Sequence, residues 1–167
     1  MGVSVSRPLI SVLCSGPAAV ASAIVLNPTI QYNGFEMKCE FPDHYPPKCP
    51  PDPAQVPNGQ TDYYRLVWNP LTLESMKSPY ELGWANSDHC DGRALSLYKG
   101  PQGVRRLVNS YPWAAGGSVA RICPQPDWGK LRTGSRKGAQ THTNFWLYSD
   151  VDRSAILLSM NLCEENE

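Results

Sequence analysis

Tyr63-Tyr64-Arg65-Leu66-Val67-Trp68 is the stretch on which the fold class turns. Side chains alternate along it, with Tyr64, Leu66 and Trp68 on one side, which is the two-residue period of a strand half-covered by other parts of the chain. β-branched and aromatic residues dominate it, and the breakers Asn69-Pro70 stop it. Asn69 as N-cap and Pro70 at the first helical position then predict one short helix over Pro70 to Lys77.

The same grammar recurs along the chain. Ala94 to Tyr98, Val104 to Val108, Ser118 to Cys123, Thr143 to Ser149 and Ala155 to Leu162 all have strand length and composition. Clusters of Gly, Pro, Asn, Asp or Ser bound each of them, as in Lys99-Gly100-Pro101-Gln102-Gly103. The expected fold is mostly β, an antiparallel sandwich or barrel with at most one or two short helices. With 16 Pro and 13 Gly in 167 residues, a coiled coil or long helical bundle is excluded. Five Trp and eight Tyr argue equally against a disordered chain.

An internal echo fits this reading. Leu95-Ser96-Leu97-Tyr98-Lys99-Gly100 and Phe145-Trp146-Leu147-Tyr148-Ser149-Asp150 both close an apolar strand with Leu-Tyr and then turn. Each is followed by an apolar segment that runs to a cysteine, Cys123 or Cys163. Over residues 94–163 this strand-turn-strand-Cys layout resembles small secreted cysteine-containing β-proteins of filamentous fungi, some with βγ-crystallin-like or killer-toxin-like Greek keys. Asp150-Val151-Asp152-Arg153-Ser154 departs in spacing from the βγ-crystallin calcium motif, so calcium is not carried over, and no cofactor or metal is expected.

Residues 1–23 read as a signal peptide. Arg7 supplies the basic start, an apolar stretch begins at Pro8, and Ala21-Ser22-Ala23 has the form of a signal-peptidase site. Residues 24–167 are then a single β-rich domain exported to the extracellular space. No interior run of apolar residues is long enough to span a membrane. Seven prolines between Pro42 and Pro57 exclude a helix or central strand there and predict an exposed proline-rich loop at 42–57. The disulfide candidates are Cys39, Cys49, Cys90, Cys123 and Cys163, enough for two bridges and a leftover thiol. Cys39–Cys49, which closes the proline-rich loop over ten residues, is the expected pair.

The 15 basic and 15 acidic residues balance, but their order is uneven. Residues 36–91 carry nine acidic and four basic side chains, residues 93–137 nine basic and one acidic. Lys130-Leu131-Arg132-Thr133-Gly134-Ser135-Arg136-Lys137-Gly138 reads as a flexible basic loop, and Tyr111, Trp113, Trp128 and Trp146 punctuate the basic block. Cations neutralise phosphate or carboxylate while aromatic faces stack on bases or sugar rings. Arg105, Arg106, Trp113, Lys130, Arg132, Arg136 and Lys137 are therefore the candidate ligand-binding residues. The alternative arrangement has the acidic segments folded back over this block.

No motif for a nucleophile elbow, a phosphate-binding loop or a zinc protease is present. The leading functional expectation is a secreted, non-catalytic binding or effector-type protein. Its partner would be an anionic polysaccharide, a nucleic acid or a protein receptor. The alternative is a small secreted hydrolase, a metal-independent ribonuclease, with His89 and His142 as base and acid and Glu74 or Glu81 as the carboxylate.

Overall fold

The computed structural model describes residues 29–32, 35–84, 89–134 and 141–163; the expected signal peptide, together with Arg136 and Lys137, lies outside them. Among the described residues the fold is mostly β, with every strand pairing antiparallel and two short helices, α1 (Pro101–Ser110) and α2 (Arg153–Ser159). Strands β1 (Thr29–Tyr32) and β2 (Phe35–Lys38) form a separate hairpin. The main sheet contains β3 (Tyr63–Val67), β4 (Leu95–Tyr98), β5 (Ser118–Ile122), β6 (Gly129–Thr133), β7 (His142–Leu147) and the two-residue β8 (Asn161–Leu162). Its spatial order is β6-β7-β4-β3-β5-β8. Among the described residues no helix is long and apolar enough to cross a membrane.

Register assigns the two faces. Arg65, Leu97, Thr143 and Thr133 fall on one side together with Tyr63, Val67, Leu95, Phe145, Leu147, Ala120 and Ile122. Most of these residues are core, closed over by Met76, Ile156 and Met160 from the following turn and from α2. The opposite side carries Tyr64, Leu66, Ser96, Tyr98, His142, Asn144 and Trp146. Helix α1 covers its β3–β5 part. A 3-10 turn at Cys90–Arg93 covers its β7 part, where the Trp146 indole N–H donates to the Cys90 carbonyl at 2.9 Å and the Asn144 amide donates to Asp91 at 2.7 Å. All six residues of β7 are consequently buried.

The expected alternation along β3 holds, and its buried side is Tyr63, Arg65 and Val67. A charged residue can occupy it because the Arg65 guanidinium donates to three carbonyls, those of Ser75 (2.7 Å), Lys77 (2.9 Å) and Ser96 (3.1 Å). Two of those carbonyls belong to the segment expected to be a helix over Pro70 to Lys77. Satisfied by Arg65 instead, that segment forms a single 3-10 turn at Leu73–Met76. Burial holds the Arg65 pKa down to about 10, with the Glu81 charge opposing the shift.

Val104 to Val108, expected as a strand, is the middle of α1. Gly100 is its N-cap, Pro101 stands at the helix start, and Val104, Leu107 and Val108 recur at helical spacing. Gly103 allows close docking, since a Cβ there would lie 2.4 Å from the Tyr98 ring. Ala155 to Leu162 is likewise α2 followed by β8. The Asp152 carboxylate caps it by accepting the Ser154 N–H at 2.9 Å, and Ile156 points into the core. Lys130 to Thr133, expected as part of a basic loop, is β6, in register with β7 from Lys130↔Trp146 to Thr133↔Thr143.

The expected Cys39–Cys49 bridge is also overturned, because Cys49 is bonded to Cys90. Tyr45 explains the redirection: its hydroxyl donates toward the carbonyls of Arg93 (3.3 Å) and Leu147 (3.5 Å), which carries the loop across to the Cys90–Arg93 turn. Farther on, Gln55 pairs with Leu131 through two 2.8 Å backbone bonds and closes the outer edge of β6. The disulfide is consistent with an oxidising destination.

Candidate binding surface

Helix α1 runs directly into a 3-10 turn, Pro112–Ala114, and the junction is the most open aromatic part of the basic block. The Tyr111 N–H donates to the Leu107 carbonyl at 3.0 Å and finishes the helix. Beyond it Tyr111 and Trp113 are 50% and 56% exposed, with ring centroids 5.9 Å apart. The Gly117 N–H donates to the Ala114 carbonyl at 3.0 Å and returns the chain into β5. On the flank of α1, Arg106 is exposed. Arg105 lines a cavity of about 270 Å³ with Val108 and Asn109 of the helix, Ser118 and Val119 of β5, and Cys163. Cations, an amide, a hydroxyl and two open aromatic rings thus share one region.

The remaining basic candidates lie elsewhere. Lys130 and Arg132 are half-buried on β6, the opposite edge strand from β8. Four strand spacings separate β6 from β5, roughly 19 Å. Arg93 is buried with its guanidinium 3.1 Å from the centroid of the Tyr80 ring. Arg121 is exposed and sits 3.8 Å from Asp62. Of the interleaved aromatics, Trp146 is fully buried and Trp128 is packed against the core.

The four residues of the ribonuclease reading are not brought into one cleft. His142 is buried against the Tyr98 ring, edge to face at 5.3 Å. His89 is exposed and adjoins Cys90, whose carbonyl meets Trp146; His142 lies four residues back along β7, about 13 Å of strand rise. Glu74 pairs with Lys77 at 2.5 Å on the surface. Glu81 accepts the Ser78 N–H at 2.8 Å and an Arg153 N–H at 2.7 Å. Burial works to raise the Glu81 pKa, but those two donors and the Arg153 charge outweigh it and hold the group below its ordinary 4.5. Glu81 is therefore an anion at neutral pH and serves Arg153.

Two features escaped the sequence reading. His44 stacks on Tyr80 with centroids 5.7 Å apart, and its pKa is lowered by burial first and then by Arg93. Trp68 and Trp84 form an exposed perpendicular pair. The signal for the tryptophans was a large aromatic set inside breaker chemistry, Trp68-Asn69-Pro70 and Gly83-Trp84, where a core residue is out of place. Among the described residues no three His, Cys, Asp or Glu side chains gather as a metal site. No protein-family model, curated protein or solved structure matches the chain.

Proposed function

We propose that this chain is a secreted, non-catalytic binding protein that engages an anionic polymer through α1 and the turn that follows it. In this reading residues 1–23 direct export and are cleaved after Ala23, and residues 24–167 act as one β-rich domain. The observation that carries it is the Tyr111–Trp113 pair, half-exposed at the end of a helix that bears Arg105 and Arg106. Open aromatic pairs on a small domain mark contact surfaces, and guanidinium groups on the same helix favour an anion with stackable rings. The Cys49–Cys90 disulfide supports the extracellular destination. Lys130 and Arg132 engage only a polymer long enough to cross the sheet.

The test is a tryptophan-fluorescence titration with heparin and with single-stranded RNA over a range of salt. Two engaged anionic groups give a slope of log K against log salt of about −1.5. Arg105→Ala with Arg106→Ala should flatten that slope, and Trp113→Ala should weaken binding at every salt concentration. A polymer that binds neither at low salt, or whose binding ignores all three substitutions, refutes the proposal.

A further inference from the structure

The second aromatic pair has different surroundings. Trp68 leaves the end of β3 38% exposed, and Trp84 is 63% exposed, with the two ring centroids 6.3 Å apart and the planes at 84°. The backbone that presents Trp84 is tied at many points. Its N–H donates to the Pro79 carbonyl at 2.8 Å, Gly83 donates to Tyr80 at 2.9 Å, and Leu82 donates to Ser78 at 3.0 Å. Glu81 fastens the same turn to α2 through Arg153, and the Tyr80 N–H fastens it to the Gly92 carbonyl at 2.9 Å. Trp68 is held by β3, whose last residue Val67 is in register with Ser118.

The segment that joins the two indoles is charge-compensated. Between Trp68 and Trp84 the charged residues are Glu74, Lys77 and Glu81. Lys77 is paired with Glu74, and Glu81 is paired with Arg153, so the segment offers no uncompensated cation among the described residues. Asn69, exposed and next to Trp68 in the chain, supplies an amide, and the exposed Thr72 of the same segment supplies a hydroxyl. Two indoles at right angles present one face and one wall, and the segment that joins them carries neutral hydrogen-bonding groups. That combination matches rings with an apolar C–H face and a hydroxyl rim.

We infer that Trp68 and Trp84 form a binding corner for a neutral hexopyranose oligosaccharide. Binding at this corner does not require Arg105 or Arg106. The perpendicular planes admit one ring stacked on one indole and bounded by the other. The ligand's hydroxyls exchange water for Asn69 and Thr72.

The experiment is titration of the protein with cellohexaose, laminarihexaose and chitohexaose at millimolar concentrations, followed by tryptophan fluorescence and calorimetry. The expected result is saturable binding of at least one of them, unchanged between 0.05 and about 1 M salt because no ion pair is made. Trp84→Ala and Trp68→Ala should each weaken it by on the order of tenfold, with an unshifted thermal midpoint, as expected for exposed side chains. Trp84→Phe should recover part of the loss. Arg105→Ala with Arg106→Ala should leave oligosaccharide binding intact, so a failure of the polyanion reading stays distinguishable. No saturable binding of any of the three overturns the inference, as does binding that survives the Trp68→Ala, Trp84→Ala double variant. Capture of a protein partner that requires both tryptophans, with no oligosaccharide bound, overturns it too.

Discussion

Replacing Cys49 and Cys90 together by Ala should lower the thermal midpoint by roughly 13 °C. The bridge spans 41 residues. On the loop-entropy relation, a closed loop of that size removes about 13 cal/mol/K from the unfolded chain, or about 4 kcal/mol at 25 °C. A domain of this length gains about 0.3 kcal/mol/K on unfolding, so 4 kcal/mol corresponds to roughly 13 °C. Both cysteines are only half-buried, which keeps the packing loss on truncation small beside the entropy effect. The loop keeps Tyr45 on Arg93 and Leu147 and keeps Gln55 on Leu131, so the variant should still fold. The assay is calorimetry of both proteins without reductant, preceded by non-reducing peptide mapping that should link Cys49 to Cys90. A midpoint change under about 4 °C would refute the reasoning, since it would mean that the non-covalent contacts already confine the loop. A mapped Cys39–Cys49 peptide would refute the pairing itself.

Arg65→Met should cost about 3–5 kcal/mol in urea denaturation at an unchanged m-value, because three carbonyls inside the fold lose their donor; a cost below about 1 kcal/mol would show that water replaces the guanidinium. Glu81→Gln should cost about 1–2 kcal/mol at pH 7, through the weakened contacts with Arg153 and Ser78. The folded pKa of Glu81 is depressed, so its contribution is complete above 4.5 and is lost as pH falls through the lower folded value. The stability gap between wild type and this variant should therefore close on acidification, and a gap that widened would reverse the assignment. Gly129→Ala should abolish soluble expression or cost more than about 3 kcal/mol, since its Cβ would meet the Trp146 carbonyl oxygen of the paired strand; wild-type stability in that variant would show that β6 can shift away from β7.

Strand character was legible wherever local chemistry and tertiary demand agree. The apolar content of Leu95–Tyr98, Ser118–Ile122 and His142–Leu147 and the breakers around them suffice to place those strands, because a two-residue period and a turn are properties of neighbours along the chain. The uneven charge order was equally readable. Helix α1 was not, although Gly100-Pro101 marks its start, since Val104, Leu107 and Val108 serve a short strand and one helical face alike. Docking of Gly103 against Tyr98 decides between them. The same holds for Arg65, whose alternation with Tyr64 and Leu66 places a charge on the wrong side unless three distant carbonyls are waiting for it. Spatial order alone determines which cations act together, for β6 and β5 lie close in sequence and four strand positions apart in the sheet. It also determines that Cys49 meets Cys90 rather than Cys39. Composition and local period thus carried the fold class, whereas burial of a charge, disulfide partnership and the grouping of a surface depend on contacts between distant segments, and no local pattern encodes those.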